Sequence, residues 1–299
     1  MVSITQGRGG GPAGSCVVCD GPLKARVADW SLHCARCGTW RSSLPVQINS
    51  RLAERIDVDA RAVGLEGLRR GNAREVLAEL GGVSLAGTRL LDVGAGFGWF
   101  VEEARALGIA ACGAEPDEAV AAIALERGLD YRVGYFPDVV RADERFDLVT
   151  FNDVLEHIPD VRGVLRALHS VLVPGGRVAV NIPNARGLAY RAACALARAR
   201  ISGPYDRLWQ RDLPSPHQHY FTPSALARLL EDSGFDVQRI RPLTSISRDG
   251  LWQRVHTLQG PRPISIAQYG ALWGAAGVLN RPGASDIFLI VAARRAETP

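Results

Sequence analysis

Asp92-Val93-Gly94-Ala95-Gly96-Phe97-Gly98 sets a carboxylate two positions ahead of three alternating glycines. Glu115 closes an apolar run about 20 residues beyond this loop, the interval at which a carboxylate accepts from the hydroxyls of a ribose. Glycine at the loop positions removes the Cβ atoms that would keep a ligand off the backbone amides. A dinucleotide fingerprint would instead run Gly-x-Gly-x-x-Gly and rest a pyrophosphate on a helix N-terminus. An aspartate beside the loop favours a cationic cofactor over a phosphate. That points to S-adenosylmethionine (SAM), with Asp92 near its amino-acid end and Glu115 on its ribose. The competing reading is a structural glycine turn followed by a surface glutamate.

Cysteine supplies the second chemistry. Cys16-Val17-Val18-Cys19 and Cys34-Ala35-Arg36-Cys37 are two Cys-x-x-Cys knuckles separated by 14 residues, with Gly21 and Gly38 close behind them. Four thiolates suit tetrahedral zinc, and a closed set of four leaves no position for substrate, so the expected role is structural. A segment this short has too little core to fold without its metal. Disulfides are the alternative, although nothing else in the chain suggests secretion. Cys112 and Cys194 are read as a strand and a helix residue without chemistry.

The elements that must position these groups follow from periodicity. Leu90, Leu91 and Val93 form a buried parallel strand that runs into the glycine loop, and a helix from Trp99 to Leu107 follows it. Strand 110–115, helix 117–127 with a stop at Gly128, strand 131–133, strand 146–151, helix 161–172 and strand 177–182 come next, the last entered through Val173-Pro174-Gly175-Gly176. This alternation predicts an α/β fold with a Rossmann-like parallel sheet, helices on both faces and the ligand beyond the strand carboxyl ends. A helix over 223–232 and strands over 235–240 and 286–292 complete it. The expected organisation is a disordered glycine-rich lead over 1–15, a zinc ribbon over 16–40, and a helical linker with cofactor-covering helices over 41–80, clearest at Ala73 to Leu80. The catalytic domain then spans 81–299 with insertions at 184–216 and 242–285, the first expected to roof the cofactor and the second to carry a helix near Ile266 to Leu279.

The 299 residues carry a net charge of +4, with Lys24 the single lysine, a balance too small to argue for nucleic acid. No run approaches the roughly 20 apolar residues of a membrane span, and the N-terminus lacks a signal-peptide pattern. A cytoplasmic protein with no membrane partner is expected.

With these residues in view, the chain resembles class I SAM-dependent methyltransferases over about residues 70–295, and within them the group whose post-loop strand ends in Asp-Val-Leu-Glu-His. The matching pieces are the glycine loop, Glu115, Phe151-Asn152-Asp153-Val154-Leu155-Glu156-His157, Pro174-Gly175-Gly176, Asn181-Ile182-Pro183-Asn184 and His219-Tyr220-Phe221-Thr222. The resemblance implies SAM as methyl donor, held by Asp92, Gly94, Ala95, Gly96, Phe97, Gly98, Glu115, Pro116, Asn152 and Asp153, with Tyr135 and Phe136 covering the adenine.

The implied reaction is an in-line displacement at the sulfonium methyl, so the protein must align the partners and, for a hydroxyl acceptor, remove its proton. His219 is the first candidate base, with His157, His217 and Asp153 beside it; the competing reading is that His219 packs in the roof. Asp153, Glu156 and His157 also repeat the acidic-x-x-Glu-His spacing of metal-dependent relatives such as polyprenyl-hydroxybenzoate O-methyltransferases and small-RNA 3′-end methyltransferases. That likeness implies a second divalent ion on Asp153, Glu156, His157 and either His217 or His219, whereas the plain alternative has Glu156 capping and His157 packing. The expected acceptor is a small molecule methylated on oxygen, anionic if Arg186, Arg191, Arg198, Arg200, Arg207 and Arg211 face the cleft. The alternative is an RNA methyltransferase whose ribbon grips RNA through Lys24, Arg26, Arg36 and Arg41 with Trp30 and Trp40 interleaved.

Overall fold

A computed structural model describes residues 14–46, 58–256 and 263–296. The N-terminal sheet starts as an antiparallel meander of β1 (Leu23–Ala25), β2 (Ser31–Cys34) and β3 (Trp40–Ser42). Its fourth strand arrives from far along the chain: β9 (His219–Tyr220) pairs with β3, Trp40 against Tyr220 and Arg41 against His219. The ribbon therefore runs to Ser42 and shares its sheet with the rest of the molecule, beyond the 16–40 boundary expected for it. Gly14 and Ser15, expected in the disordered lead, belong to it as well. Leu23 N–H donates to the Gly14 carbonyl at 2.8 Å, and Ser15 bridges to Pro22. Residues 1–13 of that lead, and 47–57 of the linker, lie outside the described residues.

The second sheet contains β4 (Arg89–Val93), β5 (Ala110–Glu115), β6 (Tyr131–Val133), β7 (Phe146–Asn152), β8 (Leu172–Pro183), β10 (Phe235–Pro242) and β11 (Ile287–Arg294). Their spatial order is β10-β11-β8-β7-β4-β5-β6. The strands from β8 to β6 are parallel, and β11 runs antiparallel between β8 and β10. This is the α/β architecture that the alternation predicts. Leu172 pairs with Phe146 before the Pro-Gly-Gly turn and pairing resumes at Arg177 with Leu148, so the expected turn is an irregularity inside β8 rather than its beginning.

Strand alternation divides the core into two faces. On one, Leu91, Val93, Val149, Phe151 and Val180 pack with α4 (Val161–Val171) and α7 (Pro223–Asp232). On the other, Leu90, Leu148, Ala179 and Leu289 meet α1 (Val58–Leu80) and α2 (Trp99–Ala106) through Val76, Leu77, Leu80, Phe100 and Val101. Arg70 ties α1 down by donating to Glu66, Glu102 and Glu103 at 2.8, 2.6 and 3.1 Å. α3 (Glu118–Glu126) is capped by Asp117, whose side chain accepts from Ala119 and Val120 N–H.

The first insertion forms α5 (Leu188–Arg198) and α6 (Gly203–Leu208). Its aromatic face turns toward the ribbon: Trp30 lies 5.5 Å from Tyr205 and 5.6 Å from Trp209, and Tyr190 stacks on Tyr220 at 4.4 Å. The insertion thus welds the ribbon to the domain, where a cofactor roof was expected. The second insertion carries α8 (Leu251–His256) and α9 (Pro263–Leu279). Among the described residues, no helix is long and apolar enough to cross a membrane.

Candidate active site

The chain lays down β4, then β5 and β6 on one side, then β7 and β8 on the other, so the winding reverses between β4 and β7. A ligand crevice belongs beyond the carboxyl ends at that point. Asp92, near the end of β4, is buried there and accepts from Thr150 Oγ1 at 2.6 Å and Asn152 Nδ2 at 3.0 Å, both on β7. Burial pushes its carboxyl up to about 7 against the pull of those two hydrogen bonds, with the Glu115 charge adding to the rise.

The three loop glycines all have left-handed φ, at 67°, 54° and 84° for Gly94, Gly96 and Gly98. A Cβ on Gly94 would lie 2.4 Å from Val154 Cγ2, and one on Gly98 would lie 2.3 Å from Leu129 Cδ1. One on Gly96 would meet nothing within 4 Å, so two glycines serve close packing and the middle one leaves an open cradle. Gly94 and Ala95 N–H donate to the Ala114 carbonyl at 2.7 and 3.0 Å, and Tyr131 OH donates to the Gly96 carbonyl at 3.1 Å. Glu115 Oε2 accepts from Gly96 N–H and Oε1 from Asp117 N–H, each at 2.9 Å. It therefore clamps the loop to the start of α3.

The other expected cofactor residues follow the loop and the ends of β5 and β6. Pro116 is half-buried behind Glu115, and Phe97 stands 4.9 Å from the Trp99 ring. Tyr135 is 40% exposed, and its phenol is raised by burial first and then by the charges of Glu115 and Asp117. Phe136 packs edge-on against Phe151 at 5.9 Å. The open glycine cradle, the Glu115 acceptor and the buried Asp92 carboxylate fit a nucleoside cofactor that carries positive charge.

A tight turn after β7, Leu155–His157, supplies a second cluster. Glu156 is 1% exposed, and neither carboxylate oxygen has a hydrogen-bond partner. Burial and then the Asp153 charge hold its carboxyl well above the usual range. His157 Nε2 lies 4.0 Å from Glu156 Oε1, and its Nδ1 lies 3.2 Å from Ser215 Oγ. His217 is buried with its ring 4.6 Å from that of His157. Its Nε2 sits 2.9 Å from Gln210 Nε2 while its Nδ1 has no partner, and burial pushes the imidazole well below its usual pKa. One potential ligand atom from each of Glu156, His157 and His217 lies within 4.8 Å of the others. Three unpartnered buried polar atoms on such a trio are costly unless a substrate or cation meets them.

Two sequence candidates stand outside this cluster. Asp153 has φ 53°, and its carboxylate forms an ion pair with Arg69 of α1. It precedes the tight turn instead of sharing it, so the helical spacing that would align it with Glu156 does not apply. His219 is buried with Nε2 3.3 Å from the Pro159 carbonyl, and burial pushes it down to about 4. It lines a separate cavity of about 290 Å³ with Cys16, Arg41 and Arg162, away from the trio.

Ser42 was not signalled by any motif, yet it fixes His217. Its Oγ donates to the His217 carbonyl at 2.7 Å and its N–H to the Gln218 carbonyl at 2.9 Å, while Gln218 N–H donates to the Glu156 carbonyl at 2.7 Å. Gln210 and Ser215, the partners of the two histidines, were likewise invisible as site residues.

In the ribbon, Cys16 Sγ is 3.4 Å from Cys37 Sγ and Cys19 Sγ is 3.5 Å from Cys34 Sγ, with all four sulfurs within 4.8 Å of one another. Val18 N–H donates to Cys16 Sγ at 3.4 Å, and Thr39 Oγ1 lies 3.1 Å from Cys37 Sγ. A Cβ on Gly21 would come within 3.3 Å of Cys19 Sγ and 3.4 Å of Cys34 Sγ, so glycine leaves room for the cluster. The sulfurs are too far apart for disulfides, at about 2.05 Å, and suit a tetrahedral ion with metal–sulfur bonds of about 2.3 Å.

Comparison with known proteins agrees with this geometry. Residues 65–240, more than half of the chain, match the family described as a methyltransferase domain. The ubiquinone biosynthesis O-methyltransferase of Xanthomonas euvesicatoria pv. vesicatoria is 32% identical over 168 residues, covering 53% of this chain and 66% of that protein. The protein of the same name from Pseudomonas syringae pv. tomato is 34% identical over 173 residues, covering 54% and 70%. Among solved structures, an S-adenosylmethionine-dependent methyltransferase from Mesorhizobium loti matches with a TM-score of 0.51 at 22% identity, over 74% of this chain and 96% of that one. The [4+2]-cyclase SpnF matches equally well, with a TM-score of 0.51 at 23% identity over 77% and 82%, so the fold by itself does not name the reaction. The match over residues 65–240 shows the family: this chain belongs to the methyltransferase domain family as a SAM-dependent methyltransferase, and the four-cysteine ribbon precedes the matched residues.

Proposed function

We propose that the protein moves the SAM methyl group to an oxygen of a small-molecule acceptor, and that zinc on Cys16, Cys19, Cys34 and Cys37 holds the ribbon in place. The observation that carries this reading is the buried trio Glu156, His157 and His217. Val154, two residues before Glu156, lies against Gly94, so the trio adjoins the cofactor loop. Relatives that are 32% and 34% identical and named O-methyltransferases support oxygen as the target.

SAM supplies an electrophilic methyl group on a sulfonium centre. Asp92 offers the buried negative charge that a cation stabilises, Glu115 accepts from the ribose hydroxyls, and Gly96 lets the backbone approach. A hydroxyl acceptor must lose its proton as the new bond forms. His217, held neutral by burial, can take it. The hydroxyl proton goes to His217 and from there to solvent after methyl transfer, while burial holds Glu156 in its neutral form beside it. The trio also has the composition of a divalent-cation site, where an ion would orient acceptor oxygens and lower a hydroxyl pKa. Loss of methyl transfer under a chelator that leaves the ribbon zinc bound selects the cation; survival selects His217 as base.

The RNA reading keeps the ribbon arginines but loses its stacking platform. Trp40 is 6% exposed, and Trp30 packs on Tyr205 and Trp209. The deciding experiment is transfer of label from methyl-labelled SAM into a small-molecule extract or into total RNA of the source organism. Label in the small-molecule fraction sustains the proposal and gives the product mass, and label confined to RNA overturns it.

A further inference from the structure

A cleft of about 530 Å³ opens where the ribbon meets the catalytic domain, apart from the cofactor crevice and from the Glu156 trio. Its walls are the second cysteine knuckle, the segment leaving β8 and the first two turns of α7, which contribute Arg36, Arg186 and Arg228 respectively. No carboxylate lines it, in a chain that holds 31 acidic against 35 basic residues. Among the described residues, Arg36 and Arg186 make no ion pair. Arg36 donates to the Cys19 carbonyl at 3.1 Å, and Arg228 reaches only Asp232, one turn further along α7, at 3.5 Å. Solvated arginines scattered on a mixed surface are usually interspersed with acids; three that converge from segments remote in sequence, without an acid among them, form a local positive field.

The remaining lining suits a particular kind of anion. Guanidinium forks match tetrahedral oxyanions, and Ser224 Oγ, 3.2 Å from the Thr222 hydroxyl that caps α7, stands at the positive end of that helix. His33 and Trp40 also line the cleft, their rings 4.4 Å apart and tilted by 50°, with the half-buried His33 offering the accessible edge. The volume falls in the range of sites for drug-sized molecules, larger than a lone oxyanion needs. We propose that this cleft binds a small phosphorylated molecule, with its phosphate on Arg36, Arg186 and Arg228 and its organic body beside His33. It is a site of its own and does not depend on which atom the enzyme methylates.

The test is calorimetry on the full-length, zinc-loaded protein, with the cofactor crevice saturated by S-adenosylhomocysteine. The probes are inorganic pyrophosphate, uridine monophosphate and a short uridine-rich RNA. Pyrophosphate and the mononucleotide should bind at roughly physiological salt, and the double variant Arg186→Ala/Arg228→Ala should weaken both by about 30-fold or more, since each charge-assisted contact contributes on the order of tenfold. Lysine at both positions should recover only part of the affinity. Unchanged zinc content and melting temperature in the variants keep the comparison with wild type valid. Pyrophosphate binding that is absent, or equal in wild type and double variant, overturns the proposal. RNA that binds about 100-fold more tightly than the mononucleotide, with a steep salt dependence lost in the double variant, would replace the small ligand by a nucleic-acid backbone and overturn it equally.

Discussion

The cofactor crevice is made by one unbroken stretch from Asp92 to Glu115 with two residues of the neighbouring strand, and its polar groups find partners inside it: Glu115 on Gly96 and Asp117, Asp92 on Thr150 and Asn152. The proposed acceptor cluster draws Glu156 and His157 from one turn and His217 from a segment held by Ser42, 175 residues away in sequence, and it leaves both Glu156 oxygens and His217 Nδ1 without partners. A cofactor that never changes can be received by a rigid, satisfied cradle. An acceptor whose proton must be moved needs groups whose bonding is completed only when it arrives, and such groups require external support. On the proposed reading the ribbon supplies that support through Ser42, which gives a four-cysteine cluster with no chemistry of its own a place on an enzyme.

The contrast breaks most visibly at the metal. Cys34→Ala should release zinc, unfold the ribbon and abolish methyl transfer, while SAM affinity measured by calorimetry stays within about threefold; a parallel loss of SAM binding would show that the two halves are one unit. His217→Ala should lower kcat by on the order of 100- to 10,000-fold with the SAM Kd unchanged, which locates the damage in the acceptor half alone. Gly94→Ala should do the reverse, raising the SAM Kd by about 100-fold, or ~2.7 kcal/mol, because its left-handed backbone and the nearby Val154 side chain both resist a methyl group. Adding Val154→Ala should return part of that affinity. The smallest effect is a pH dependence. Asp92 is held near 7 when the crevice is empty, so protonation competes with a cationic cofactor, and SAM affinity should fall by up to tenfold per unit as pH drops below about 7. By the same sign, the ligand-free protein should lose stability as pH rises from the ordinary aspartate value of 3.8 toward 7, where the unfolded chain has already released the proton. Thermal melts across that window check it.

What could be read from the sequence divides along the same line. The glycine loop, Glu115 and the cysteine knuckles are local patterns whose chemistry lies within a few residues, and the helix Pro223–Asp232 and the strand Tyr131–Val133 fall where the periodicity places them. Choosing between His217 and His219 was beyond any local pattern, because a strand of two residues has no periodicity and its partner is residue 40–41 of the ribbon. The sequence spacing favoured Asp153 as a companion of Glu156, and a left-handed φ at 153 turns it to Arg69 instead. Trp30 and Trp40 read equally as a stacking platform or a small core, and only the packing of Tyr190, Tyr205 and Trp209 distinguishes the two.

The sheet that joins β3 to β9 also imposes an order in time. When Cys37 leaves the ribosome the four thiols can close on a metal, but the strand that covers Trp40 is still to be made. At about 5–20 residues per second, the 175 residues between Ser42 and His217 take roughly 9 to 35 s. Through that interval the nascent ribbon presents the edge of β3 and its two tryptophans to whatever is nearby. With metal closing early on the four thiols and residue 217 arriving late, β3 would stand open to mispairing during synthesis, and production of folded enzyme in zinc-poor cells should suffer there first.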